Sequence, residues 1–169
     1  MYTITEALAE MKTITKRIDN KTNFVVNYLW RPSVLTDGFA SEGGSPKRVG
    51  EEYQSLQDLI SRMERIRVGI QSANQKNLLT VQGQSKTVAA WLAWRKECAP
   101  KLKTILGQMA KKMLDGQNQA RAQNPKQWDV VEHYSSNEIQ KQTEFVDNVL
   151  GELDGKLSLF NATCTIDVN

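Results

Sequence analysis

Between Ser45 and Met113 the chain reads SPKRVGEEYQSLQDLISRMERIRVGIQSANQK (45–76), then NLLTVQGQS (77–85), then KTVAAWLAWRKECAPKLKTILGQMAKKM (86–113). The first piece places Val49, Tyr53, Leu56, Ile60, Met63 and Ile70 on one helical stripe. The last places Val88, Trp91, Cys98, Leu102, Ile105 and Met109 on another. Both follow the alternating three-and-four spacing that lines one face of a helix. The piece between them alternates as short strands would, and Gln82-Gly83 marks a hairpin turn. Helix, hairpin and helix therefore form the centre of the chain, and each stripe needs a partner helix. Helix two is expected to reach about Asn74 and to carry Arg67 at a seam position, where an arginine usually snorkels outward.

Working back toward the N-terminus, Thr3-Ile4-Thr5-Glu6 has the form of a capping box. From there Ile4, Leu8, Met11, Thr15, Ile18, Thr22 and Val25 continue a seam, with Ala7 and Ile14 widening it. Sustained alternation of this kind favours long helices packed at shallow angles. A helix of about 24 residues spans roughly 36 Å. The register is lost near Asn23, where FVVNYLWR (24–31) is rich in β-branched and aromatic residues and Pro32 forbids smooth continuation. Asp37-Gly38 signals a turn, SEGGSP (41–46) reads as a loop, and Ser45 and Pro46 suit the start of helix two. Residues 24–48 are therefore expected to form an extended aromatic arm. Tyr28, Leu29, Trp30, Arg31 and Phe39 are the candidate interface residues, because clustered apolar groups that leave a core usually bury against a partner. The alternative is that they fold back over the end of their own helices.

Beyond the hairpin, Ser85 is placed to cap helix three, and Trp91 and Trp94 read as core anchors. Pro100 should kink that helix or restart it after Ala99. Gly116 and the polar run after it are expected to end the helix, leaving a linker over 117–135 with a short extended segment around WDVVEHY (128–134). Ser135-Ser136-Asn137-Glu138 then opens a last helix, striped by Ile139, Val146, Val149, Leu153, Leu157 and Phe160, and ATCTIDV (162–168) alternates as a strand would. The fold expected is all-α. Four long amphipathic helices form antiparallel hairpins in a coiled-coil-like bundle, with short β excursions at the ends, in one elongated domain over 1–169.

The composition, 40% hydrophobic and 24% charged, excludes no soluble class, and no apolar run is long enough for a membrane span. The opening MYTITEALAEMK has acidic residues where a signal peptide needs a basic start and an apolar block, so an intracellular setting is expected. Cys98 and Cys164 have no metal-ligand spacing and are expected to be buried as small apolar side chains. Net charge is +3, unevenly spread: residues 86–126 hold nine basic and two acidic groups, residues 127–169 two basic and eight acidic. A basic block can bind nucleic acid. It can also lie beside the acidic last helix of the same chain, the reading favoured here because charges interleaved with a seam usually face solvent or a neighbouring helix.

Reaction chemistry is not visible. His133 is the single histidine, which removes most zinc and triad schemes. Gly43-Gly44 lacks the lysine and strand of a phosphate loop, and helix-spaced acids such as Glu51 and Asp58 lack the Glu-x-x-His partner of di-iron bundles. No catalytic residue, cofactor, metal or small-molecule substrate is expected.

Several blocks resemble a family of small bacterial and phage-borne helical proteins without an established activity, some labelled septicolysin-like. They are TEALAEMKTITKRI (5–18), LISRMERIRVGIQSANQKNLLTVQGQSKTVAAWLAWRKE (59–97), HYSSNEIQKQTEF (133–145) and GELDGKLSLFNATCTID (151–167), in collinear order over most of the chain. The resemblance implies long helices and self-association, and it carries over no catalytic residue. The sequence departs from the family in the aromatic insertion at Tyr28–Phe39. Together these features lead us to expect a non-catalytic structural protein of a tailed-phage virion, a capsid decoration or a neck or tail accessory. Its partners would be further copies or other structural proteins. The alternatives are a cytoplasmic oligomeric adaptor that binds nucleic acid or another acidic partner through helix three, and a membrane-active toxin-like protein.

Overall fold

A computed structural model describes residues 1–127 and 129–168. The fold is all-α: 74% of the chain is helical, with only short two-stranded β excursions. The elements are β1 (Tyr2–Thr3), α1 (Ile4–Asn27), a 3-10 turn (Ala40–Glu42), α2 (Ser45–Lys76), β2 (Leu78–Val81), β3 (Gln84–Thr87), α3 (Val88–Ala93), a π-turn (Trp94–Cys98), α4 (Ala99–Gln123), α5 (Ser136–Thr163) and β4 (Thr165–Ile166). The chain divides into two compact units. One holds Met1–Ala73 together with the C-terminal residues from Phe160, and the other holds Asn74–Leu159.

In the first unit α1 starts at the expected capping box. The Glu6 N–H donates to Thr3 Oγ1 at 3.2 Å, and the Thr3 N–H donates to Glu6 Oε2 at 2.8 Å. The bond from the Thr3 N–H, and a second from its hydroxyl at 2.9 Å, hold the Glu6 carboxyl below its ordinary range. β1 pairs antiparallel with β4, Tyr2 opposite Ile166 and Thr3 opposite Thr165. α1 and α2 run antiparallel, since Lys21 meets Glu52 at 2.5 Å while Glu10 meets Arg62 at 3.0 Å. Arg62 also donates to the Val168 carbonyl at 2.8 Å and lies 5.4 Å from the Tyr2 ring, so one guanidinium ties together α1, α2 and both chain ends. Its acidic partner Glu10 is the main reason its pKa is raised.

The seams follow the expected stripes in part. On α1, Ile4, Ala7 and Ile14 are buried, whereas Leu8 is exposed. On α2 the buried residues are Ile66 and Ala73, and Tyr53 and Ile60 face outward. Centring the buried face of α1 on Ile4, Ala7 and Ile14 leaves the Thr15 and Thr22 hydroxyls out of the core, where a buried hydroxyl would need a partner. Arg67 is exposed, as expected of a snorkelling arginine. On the same helix, an added Cβ at Gly69 would stand 3.3 Å from Ile166 Cδ1, so the missing side chain makes room for β4.

In the second unit β2 and β3 pair from Leu78–Thr87 to Val81–Gln84. Gln82 and Gly83, with φ of 46° and 74°, form the turn, both central residues left-handed as a two-residue hairpin of this twist requires. Trp91 is buried, its indole N–H donates to the Leu79 carbonyl at 2.8 Å, and Trp94 meets it edge-on at 5.7 Å. Thr87, rather than Ser85, caps α3: its hydroxyl accepts from the Ala90 N–H at 3.1 Å, while Ser85 sits within β3 and bonds Thr80. α4 and α5 run antiparallel, with Arg95 3.0 Å from Asp154 and Lys103 2.7 Å from Asp147. The expected α5 stripe is buried at Ile139, Val146, Val149, Leu153 and Leu157.

Before Pro100 the helix does not stop. It widens into the π-turn, where the Ala99 N–H bonds Trp94 O. Proline has no N–H and its ring crowds the carbonyl four residues back, so a wider turn relieves both demands. The wide turn also takes up one extra residue, shifting the buried phase after it. Ala99 is therefore buried and Cys98 exposed, contrary to the expectation for Cys98. Cys164, expected to be buried, is only half-buried just after the end of α5.

Three boundaries move. α1 continues through Phe24–Asn27, residues assigned to the arm, because Phe24 packs its ring on Tyr28 one turn later. α4 continues to Gln123, seven residues past Gly116, so the linker expected at 117–135 is shorter; glutamine, alanine and arginine there are adequate helix formers. α5 keeps Ala162 and Thr163, which leaves β4 only two residues. At the start of α5 the Ser136 N–H and hydroxyl donate to Glu132, and Glu138 accepts from Gln142 instead of closing the expected box. Trp128 lies outside the described residues, and 129–134 have no regular secondary structure.

Candidate functional site: an aromatic arm

The arm begins where α1 ends. The Tyr28 N–H still bonds the Phe24 carbonyl at 3.1 Å, but Pro32 then prevents continuation, and the Leu35 N–H closes a turn on Pro32 O at 3.1 Å. The chain comes back through the 3-10 turn to Gly43 and Gly44, whose φ values of 97° and 89° suit glycine alone.

Asp37 organises this path. Its carboxylate accepts from the Phe39 N–H at 2.9 Å, the Ser45 N–H at 2.8 Å and the Ser45 hydroxyl at 2.6 Å. Arg31 lies 4.0 Å away and also donates to the Leu35 carbonyl. Hydrogen bonds from Ser45, then from Phe39, lower the Asp37 pKa to about 2. Thus one carboxylate joins the arm's turn to the start of α2. The sequence signal, Asp-Gly, pointed to a turn but not to this longer reach.

Four of the five candidate residues separate into two sets, while Arg31 lies beside Asp37. Phe39 is half-buried and, with Phe24 and Tyr28, forms an aromatic cluster whose ring centroids lie 4.7–5.8 Å apart. The Arg48 guanidinium lies 5.9 Å from the Phe24 ring. Such clusters and cation contacts strengthen packing beyond simple area burial. Leu29 and Trp30 do not join it. They are 68% and 76% exposed, and Val34 and Leu35 are exposed beside them. A groove of about 410 Å³ runs between the two sets, lined by Leu29, Trp30, Leu35, Phe39, Pro46 and Val49. The fold-back alternative left open by the sequence thus holds for part of the arm: Tyr28 and Phe39 pack on Phe24, and Leu29 and Trp30 do not.

The arm is apolar, and His133, outside it, is exposed. Among the described residues no three His, Cys, Asp or Glu side chains are grouped to hold a metal ion, and no helix is long and apolar enough to cross a membrane. Comparison with family models, curated proteins and solved structures gives no match.

Proposed function

We propose that this is a non-catalytic assembly protein, a structural component of a tailed-phage virion such as a capsid decoration or a neck or tail accessory. The observation that carries the assembly role is Trp30, 76% exposed on an arm whose path is fixed by Asp37. A large apolar side chain held out on an ordered support pays little ordering entropy on docking. Tryptophan and arginine are also the residues most enriched at binding hot spots, and Arg31 stands next to Trp30. The partner is a further copy or another virion protein, and the choice of a virion over a cell follows from the family resemblance.

The test compares wild type with Trp30→Ala by sedimentation and by incorporation into particles. The variant should keep its helicity and melting temperature while assembly weakens by about 2 kcal/mol or more. A variant that unfolds, with unchanged assembly per folded molecule, would make the arm a lid on its own helices.

A further inference from the structure

In the second unit, α4 and α5 leave a further apolar surface. The long side chains of Leu102, Ile105, Met109, Phe145 and Val149 line a groove of about 490 Å³. Ile105 is 52% exposed and Phe145 41%. Clustered apolar groups of this size on a folded surface mark an interface. The charges beside them indicate what it fits. On α4, Lys101, Ile105, Gln108 and Lys112 fall on one stripe by their four-three-four spacing; on α5, Glu138, Gln142, Phe145, Val149 and Glu152 do the same. The apolar strip thus has Lys101 and Lys112 on its α4 side and Glu138 and Glu152 on its α5 side, where Glu152 also pairs with Lys156 at 2.6 Å and Lys141 stands one turn before Phe145.

We infer that this face binds a second copy of the chain about a two-fold axis parallel to the helices, laying α4 of each copy over α5 of the other. The heights agree. Lys103 stands level with Asp147, so Lys112, nine residues on, is level with Glu138, nine residues back in the antiparallel helix. Rotation about that axis keeps heights and exchanges sides, bringing Lys112 of each copy to Glu138 of the other and closing Ile105 and Phe145 against their counterparts. A two-fold axis across the helices would instead stack basic α4 on basic α4. The interface is isologous, as closed dimers usually are, and it is independent of the arm.

The experiment is a reciprocal charge reversal in the full-length chain, read by analytical ultracentrifugation at low salt, with and without Trp30→Ala. Lys112→Glu and Glu138→Lys lie at the border, and circular dichroism checks that each stays folded. Wild type should dimerise. Either variant alone should raise the dimer dissociation constant about tenfold, since each reversal turns two attractive contacts into repulsive ones. An equimolar mixture of the two variants should recover wild-type affinity as a heterodimer. Ile105→Asp should abolish the dimer. A wild-type monomer throughout, a dimer lost with Trp30→Ala but indifferent to charge reversal, or a mixture no tighter than its components would each overturn the inference.

Discussion

Asp37 and Ser45 are joined twice: one carboxylate takes both the backbone N–H and the hydroxyl of a residue eight positions later. This pair fixes the return of the aromatic arm to α2, and it is strongest while the carboxylate is ionised.

The pH dependence follows from that. The folded-state pKa of Asp37 is lowered to about 2 from 3.8. A lowered folded pKa means that the contribution is fully present above the unfolded value and is lost as pH falls through the folded one. The arm should therefore loosen between about pH 4 and pH 2. Trp30 fluorescence anisotropy and pepsin cleavage near Leu35 should both report it. Asp37→Asn should already show the loosened arm at pH 7 and should respond far less to acid. An arm equally ordered in both proteins at pH 7 would remove Asp37 from this role.

Trp91 should dominate the stability of the Asn74–Leu159 unit. It is buried, stacks edge-on with Trp94, lies under the Lys86 ammonium and satisfies the Leu79 carbonyl. Trp91→Ala should cost roughly 3–5 kcal/mol by leaving a cavity. Trp91→Phe should cost less, about 1–3 kcal/mol, through the unpaired carbonyl and lost volume. Denaturant unfolding followed by circular dichroism would measure both; losses below about 1 kcal/mol would show that the hairpin does not depend on this anchor.

The basic third helix should not bind nucleic acid. Arg95 and Lys103 face Asp154 and Asp147, and these carboxylates would repel phosphates brought to the same surface. Anisotropy titrations with labelled single- and double-stranded DNA at low salt should show no binding. Affinity falling steeply with added salt, the sign of counterion release at Lys96, Lys101, Lys103, Lys111 and Lys112, would favour the adaptor reading instead.

Local chemistry was most legible in the sequence. The Thr3–Glu6 capping box, the Gln82-Gly83 hairpin and the α5 stripe each depend on residues a few positions apart, and each stands where the pattern placed it. What the pattern missed depends on distant partners. Which positions of an apolar stripe on α1 and α2 are buried is decided by what packs there, not by either helix alone, so Leu8 and Tyr53 looked as good as Ala7 and Ile66. The arm was legible as apolar, but its division was not: Phe39 returns to Phe24 and Tyr28 because Asp37 reaches Ser45, a contact no local motif announces.

The π-turn at Trp94–Cys98 has a consequence for how this chain can be compared with others. Its extra residue acts as a frame shift within one continuous helix: a strict seven-residue repeat carried through from Trp91 names Cys98 as interior, whereas the interior residue is Ala99. Any template of uninterrupted α-helix therefore matches the Trp91 side or the α4 side, never both in one frame. A relative without the wide turn would align across it only with a one-residue gap between Trp94 and Ala99. Such a gap, next to a proline two residues after the turn's last residue, would be a better marker of kinship than the apolar spacing on either side.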